Sequence, residues 1–361
     1  MSARLAGPVR VVGAGLLGTS IGLALTARSV DVILDDASPA QLRLAMDYGA
    51  GRAARAGDAP QLIVVCVPPD VTSRVIAAEL AAFPSATVTD VASVKSQPLA
   101  ELAAVPDLAR YVGGHPLAGR ERGGAVSGRA DLFSGRPWVI TRHGGSADLS
   151  ARLVEDLVLD LGAVPVAMTV EQHDDAVALV SHLPQLVASL LASRLGDAPA
   201  ASVSLAGQGL RDTTRIASSA PDLWVQILGA NAHPVAGLLK LLRTDLDEVI
   251  EALDAPDAAG SRRRIAEAIA SGNAGVARIP GKHGEDRRFA QITVLVDDTP
   301  GELARLLTEI GAMGVNMEDL RLEHSPGAQV GLAEISVVPD VGPRLVTDLI
   351  VRGWRVAEAT R

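Results

Sequence analysis

The run Val9-Arg-Val-Val12, followed at once by Gly13-Ala-Gly15-Leu-Leu-Gly18 and an uncharged stretch to Ala27, constrains this chain more than any other feature. G-x-G-x-x-G is a weak signal alone. Between a short β-branched strand and a helix it has the context that a dinucleotide-phosphate loop needs. Gly13 permits the tight turn, Gly15 lets the backbone approach a pyrophosphate, and Gly18 permits close packing of helix on strand. The helix N-terminus then faces the anion. Asp36 closes the next strand, 23 residues beyond Gly13. A carboxylate there bonds a ribose 2′-hydroxyl and repels a 2′-phosphate, which selects NAD over NADP. Asp35 is the competing position. Leu16 and Leu17 in the loop, with Val67 and Pro68 where a later strand ends, complete the expected cofactor-binding set.

The first half of the chain alternates apolar runs with helix-like stretches. Strands are expected at Val9 to Val12, Val32 to Leu34, Leu62 to Val67, Ala86 to Val91, Tyr111 to Gly113 and Pro137 to Thr141. Strands separated by helices imply parallel crossovers, hence an α/β, doubly wound parallel sheet of Rossmann type over residues 1–168. From Thr169 the pattern is helical only: Glu171 to Ser193, Ala198 to Gly209, Pro221 to Leu228, Pro234 to Leu253 and Ser261 to Ser271. We read residues 169–280 as an all-helical middle domain. Several of its helices are apolar over much of their surface, so subunit association, at least a homodimer, is expected. The polar run GKHGEDRR at 281–288 reads as a linker. Beyond it, residues 288–361 show the order βαββαβ of a ferredoxin-like sandwich.

Composition removes several function classes. The chain has 361 residues, 48% hydrophobic and 21% charged, enough to bury a core in two or three domains. Its net charge of −9 argues against a nucleic-acid partner, which needs a basic face. Cys66 is the only cysteine, so no intramolecular disulfide or cysteine zinc site can form, and no metal cluster stands out. Lying in the run LIVVCV, Cys66 reads as a small core residue of a reduced, cytoplasmic protein. The uncharged stretch from Val11 follows Arg4 and Arg10 in the manner of a signal peptide. It holds four glycines, however, and is shorter than the roughly 20 residues of a membrane span. A phosphate loop explains it better, and no membrane association is expected.

Three clusters carry the chemistry. The first is Asp90-Val-Ala-Ser93-Val-Lys95-Ser96 and the second Gly113-Gly-His115-Pro-Leu-Ala-Gly119-Arg120-Glu121. Both follow strands, at the carboxyl ends where open α/β sheets bind ligands. His115, between two glycines and a proline, is expected in an irregular loop rather than on an apolar helix face. The third cluster comprises His173-Asp174, Ser181-His182-Leu-Pro and Leu210-Arg-Asp212-Thr-Thr-Arg215. Polar residues this dense in an apolar domain require partners. Arg215 can fork onto a carboxylate; a buried structural network is the alternative reading of the histidines and Asp174.

The ordered set VVGAGLLGTSIG, TDVASVK, GGHPLAG, HDDAVALVSHLP and LRDTTRIA resembles the prephenate dehydrogenase (TyrA) family of tyrosine biosynthesis, over residues 8 to 280. The resemblance implies an NAD-binding Rossmann domain and a helical domain that dimerises. It makes His115 the catalytic residue, assisted by Ser93, and Arg215 the holder of a substrate carboxylate. Trp224 falls at an aromatic position bordering the site, and Asp212 and Glu121 where charged residues gate the pocket. His182 and Arg120 complete the implied substrate-binding set. Gln185 replaces a second histidine of some members, and Arg120 a small hydroxyl residue. The implied reaction is oxidative decarboxylation of a cyclohexadienol. The C4 hydride passes to NAD+, His115 accepts the hydroxyl proton, and loss of CO2 restores an aromatic ring without a metal. Prephenate is the favoured substrate and arogenate the alternative. The last segment, FAQITVLVDDTPGELARLLTEIGAMGVNMEDL, resembles an ACT domain, which implies a tyrosine effector at Asp298, Gly301 and Asn316.

Two rivals share parts of this pattern. β-Hydroxyacid dehydrogenases join similar domains but use a helical lysine. Lys240, the one lysine of the helical domain, lacks their neighbouring asparagine. A non-catalytic amino-acid sensor would keep the last domain and need none of His115, Ser93 or Arg215.

Overall fold

A computed structural model describes residues 3–118, 123–279, 289–324 and 329–360. The chain divides into two compact units, residues 1–193 with 216–242 and residues 194–215 with 243–361.

The first unit is built on eight strands: β1 (Val9–Val12), β2 (Val32–Asp35), β3 (Arg52–Ala53), β4 (Leu62–Val65), β5 (Thr87–Asp90), β6 (Tyr111–Pro116), β7 (Pro137–Thr141) and β8 (Val164–Met168). Their order is β3-β2-β1-β4-β5-β6-β7-β8. Strands β1 to β6 are parallel, as alternating strand and helix require. The chain steps to opposite sides of β1, so the carboxyl ends of β1 and β4 flank the switch point where such sheets bind ligands. Because both sheet faces are covered, the central strand β4 is apolar throughout. Leu62 and Val64 enter one core with Val9 and Val11, while Ile63 and Val65 enter the other with Val12.

The sheet departs from the expected all-parallel form at β7, which pairs antiparallel with β6. A parallel return needs a crossover element, and among the described residues the β6–β7 connection holds only the 3-10 turn Ala125–Ser127. The helix Asp148–Asp160 then supplies such a crossover, and β8 lies parallel to β7. β3 and β8 were not expected. β8 carries Pro165, which an edge strand tolerates. β6 runs three residues further than expected, so His115 stands on a strand, opposite Val139, and not in an irregular loop.

A helical run from Val170 to Ser193 closes this part of the chain. It is long and apolar enough to cross a membrane by length and composition. It is not uniform: the helix Val170–Val177 passes through a π-helical stretch, Ala178–His182, into the helix Leu183–Ser193. Thr169 caps its start in a reciprocal box with Gln172.

In the second unit, the segment expected as one helix from Ala198 to Gly209 is two short ones, Ala200–Val203 and Gln208–Thr214. The C-terminal part is a four-stranded antiparallel sheet of β9 (Ala290–Asp297), β10 (Asp319–His324), β11 (Val330–Val337) and β12 (Arg355–Thr360), in the order β10-β11-β9-β12. Its helices are Glu302–Ala312 and Gly342–Val351. Period-two alternation buries Ile292, Val294, Val296, Ala333, Ile335 and Val337 against Leu306, Ile310, Leu345 and Leu349. The expected linker at 281–288 lies outside the described residues.

Candidate active site

The turn after β1 has the shape of an anion cradle. Gly13 adopts φ +103°, and a Cβ there would stand 2.3 Å from the carbonyl oxygen of Cys66 at the end of β4. A Cβ on Gly18 would stand 1.8 Å from the carbonyl oxygen of Gly13, so the helix Leu16–Thr26 can approach only because that residue is glycine. Gly15 differs: a Cβ there would meet nothing within 4 Å. It would project into open space at a helix N-terminus that no side chain caps. Free N–H groups and an open approach suit a pyrophosphate. The residues present therefore fit a dinucleotide.

Two adjacent carboxylates at the end of β2 have separate tasks. Asp36 accepts hydrogen bonds from the amides of Ala14 (2.6 Å) and Ser38 (2.7 Å), which sets it beside the cradle. Asp35 instead receives the Arg10 guanidinium at 2.6 Å, and Arg10 also holds Glu79 at 2.9 and 3.0 Å. Leu16 and Leu17 pack partly against one sheet core and Val67 against the other. Pro68 is the N-cap of the helix Pro69–Ala82.

At the carboxyl end of β6 stands a chain of buried polar groups. His115 Nδ1 lies 2.8 Å from His173 Nε2, and His173 Nδ1 lies 2.7 Å from Asp174 Oδ1. Asp174 also accepts from the amides of Lys95 (2.9 Å) and Ser96 (2.8 Å). Burial alone would raise the Asp174 carboxyl, but hydrogen bonds from His173, Ser96 and Lys95 outweigh it and hold it below its ordinary value. Burial is also the main cause that holds His115 well below the ordinary imidazole value, with His173, Lys95 and His182 adding to it and Asp174 opposing. His115 is thus neutral near pH 7, the state a proton acceptor requires. Asn231 ties the next turn in: its amide donates to the Asp174 carbonyl (2.8 Å) and lies 3.1 Å from His182 Nδ1. Trp224 meets the His182 ring edge to face, centroids 6.0 Å apart.

Beneath β6 lies a buried ion pair. Lys95 Nζ donates to Asp90 Oδ2 and, at 2.7 Å, to the carbonyl of Gly114. Asp90 Oδ1 accepts from the Tyr111 hydroxyl (2.9 Å) and the Gly114 amide (3.2 Å). Burial pushes the Lys95 ammonium down from its ordinary value despite Asp90, and pushes the Tyr111 phenol well up. The two glycines before His115 make this arrangement possible. A Cβ on Gly113 would stand 3.1 Å from Lys95 Cδ, and one on Gly114 2.6 Å from the Asp90 carbonyl.

The other expected residues fall as follows. Ser93 is half-buried and lines a cavity of about 250 Å³ with Asp70, Gln97 and Gln226; no hydrogen bond joins it to His115 among the described residues. Asp212 and Arg215 belong to the second unit, Asp212 on the helix Gln208–Thr214 bonded to Gln208, Arg215 opening the 3-10 turn Arg215–Ala217. Arg120 and Glu121 lie outside the described residues. In the connections of the C-terminal sheet, Gly301 takes φ +97° as N-cap of Glu302–Ala312, Asp298 lies in the loop before it, and Asn316 donates to Glu318 (3.2 Å). Sequence reasoning gave Asn231 no role. It sits between two helices in a stretch with no periodic signal, and only its burial marks it.

Two family models match. That of the nucleotide-binding domain of prephenate dehydrogenase covers residues 21–167, and that of its dimerization domain covers residues 169–267. A probable prephenate dehydrogenase, NovF, of Streptomyces niveus is 37% identical over 353 residues, 95% of this chain and 98% of the relative. The prephenate dehydrogenase of Bacillus subtilis is 26% identical over 92% of each chain. Among solved structures, prephenate dehydrogenase from A. aeolicus in complex with hydroxyphenyl propionate and NAD+ aligns with a TM-score of 0.66 at 24% identity, over 75% of this chain and 99% of that one. That likeness concerns the fold.

Proposed function

Because the chain belongs to the prephenate dehydrogenase family, we propose that it catalyses the oxidative decarboxylation of prephenate to 4-hydroxyphenylpyruvate in tyrosine biosynthesis. The dinucleotide, when bound as NAD+, supplies the hydride acceptor. One observation carries the reading: a buried histidine kept neutral at a strand's carboxyl end, in the same unit as an open phosphate cradle.

His115 accepts the proton of the ring C4 hydroxyl as that carbon becomes a ketone. Ser93 orients the hydroxyl. Arg215 holds a substrate carboxylate, so its contribution is mainly orientation. The family resemblance further assigns Arg120, Asp212, His182 and Trp224 to substrate binding. Loss of CO2 restores the aromatic ring and drives the reaction. Gly13, Gly15 and Gly18 shape the cradle, Leu16, Leu17, Val67 and Pro68 line it, and Asp36 receives the ribose hydroxyls.

The same reading assigns three functional segments: 1–168 for NAD, 169–280 for substrate and dimerisation, and 288–361 for regulation. Exposed Leu179, Val180, Leu190, Leu241 and Leu246 on the helical segment support a homodimer. The βαββαβ order and the left-handed Gly301 support an ACT domain that binds tyrosine at Asp298, Gly301 and Asn316. The reduced, single-cysteine composition supports a cytoplasmic enzyme. The test is NADH absorbance with purified protein, NAD+ and either prephenate or arogenate, each with and without tyrosine. Prephenate turnover is the expected result. Turnover of arogenate alone moves the enzyme to the branch that makes tyrosine directly. Turnover of neither removes the enzymatic reading. Inhibition by tyrosine is the expected sign of the regulatory domain.

A further inference from the structure

We propose that His173 and Asp174 are positioning residues that fix the tautomer of His115, leaving Nε2 as its bare, proton-accepting nitrogen. The proposal rests on the reading of His115 as the base. It follows from counting protons along the chain of buried groups. Asp174 receives two backbone amides, of Lys95 and Ser96, together with His173 Nδ1. A carboxylate so placed can only accept, so the hydrogen at the His173–Asp174 contact belongs to His173 Nδ1. Neutral His173 then has a bare Nε2, whose neighbour at 2.8 Å is His115 Nδ1. That contact also needs one proton, and it must come from His115. The nitrogen whose partner is fixed decides the state of the other. His115 Nε2, with no hydrogen-bond partner among the described residues, is left without a proton.

The reverse order would place the proton on His115 Nε2 and make it a donor that cannot take the substrate's hydroxyl proton. It would require His173 to donate from both nitrogens, as a fully buried cation. Aqueous imidazole side chains favour the Nε2–H form, so the Nδ1–H form at His115 has to be imposed. The helix Val170–Val177 imposes it, because Thr169 and Gln172 cap its first turn and both amides of the Lys95–Ser96 loop clamp Asp174. The same carboxylate therefore fixes the loop that carries Ser93 and the ring that orients His115. The relay moves no proton to Asp174; it holds geometry and charge, as a buried carboxylate does behind other catalytic histidines.

The experiment is long-range proton–nitrogen correlation on the full-length protein with 15N-labelled histidine, alongside steady-state kinetics. Seven histidines are present, and the His115→Asn spectrum assigns the His115 signals by difference. In wild type, Nδ1 of His115 carries the proton and Nε2 is bare; in Asp174→Asn the Nε2–H form becomes the major one. Asp174→Asn and His173→Phe lower kcat by about 10²- to 10⁴-fold, the worth of a correctly presented base. The KM for prephenate changes by less than about threefold, because ground-state binding is untouched. His173→Gln, which restores an acceptor near the Nε2 position, recovers at least about tenfold in kcat over His173→Phe. A proton on Nε2 of His115 in wild type overturns the proposal. So does a His173→Gln enzyme no faster than His173→Phe, or a loss carried by KM. If His173→Phe does not fold, the tautomers of wild type and Asp174→Asn decide. Unchanged turnover in His115→Asn removes the base assignment itself, a failure the tautomer measurement distinguishes.

Discussion

The carboxylate of Asp36 and the backbone amide of Ala14 lie 2.6 Å apart, which binds the end of β2 to the turn leaving β1. A negative charge is thereby fixed beside the phosphate cradle by the loop it serves. Its neighbour Asp35 is spent on Arg10. The two adjacent aspartates thus divide into one that can meet a ribose and one that closes an ion pair with Arg10 and Glu79.

Asp36→Asn keeps the approximate shape and removes the charge. A hydrogen bond to a charged group is worth about 1.5–3 kcal/mol, so NAD+ should bind about 10- to 100-fold more weakly. Discrimination against NADP+ should relax at the same time, since its 2′-phosphate no longer meets a carboxylate. Titration of both cofactors by fluorescence checks this. Asp36→Asn with unchanged preference would place the ribose elsewhere.

The glycines of the loop separate by substitution. Gly15→Ala puts a methyl into open space, where it blocks the pyrophosphate without disturbing packing. NAD+ affinity should fall with the thermal midpoint kept within about 1 °C, as for a change that touches no packed group. Gly18→Ala instead forces a methyl to within 1.8 Å of the Gly13 carbonyl and should destabilise the whole unit. Such overpacking costs about 1–3 kcal/mol, readable in urea unfolding. The reverse pattern would mean that Gly15 is the packing position.

How far the chain was legible depends on the range of the interaction. The Gly-rich turn, the acidic end of β2 and the polar clusters after β5 and at the end of β6 are local signals, and each stands near where the sequence put it. β8 was hidden because Pro165 argues against a strand unless the strand is known to be an edge. The reversal at β7 goes with a β6–β7 connection whose described residues hold no crossover helix, and apolar alternation is the same in either direction. Asp90, Lys95 and Tyr111 meet through a sheet and a loop, so nothing in linear spacing pairs them. The π-helical stretch that carries His182 left no periodic trace, since one wide turn barely shifts an apolar pattern already broad.

The buried Lys95–Asp90 pair should be costly to break. Lys95 is 1% exposed and Asp90 fully buried. Lys95→Met leaves an uncompensated carboxylate under β6, for which about 3–5 kcal/mol is the usual loss. Asp90→Asn combined with Lys95→Met should recover part of it, because no charge then remains. Denaturant midpoints of the Lys95→Met, Asp90→Asn and double variants test the coupling. A loss below about 1 kcal/mol in Lys95→Met would mean the ammonium behaves like a surface group.

The pH dependence of the enzyme follows from the environment of His115. An imidazole in water would lose its proton-accepting form below about pH 6.5. Burial first, then the charges of His173, Lys95 and His182, hold His115 well below that value. kcat/KM, which reports the free enzyme, should therefore stay level from pH 8 through 6.5 and decline only at more acid pH. His115→Asn should lower kcat by about 10²- to 10⁴-fold, abolish that acid decline and leave NAD+ binding intact. Stability carries the same sign. Above pH 6.5 His115 is neutral in both folded and unfolded chains and contributes no slope. Below it the unfolded chain takes a proton that the folded one refuses, so stability falls with falling pH until the folded value is passed. His182, held down mainly by burial, adds to the effect. Urea midpoints at pH 7.5 and 5.5 should differ less in His115→Asn than in wild type. An equal difference in the two proteins would mean that His115 already takes its proton in the folded chain.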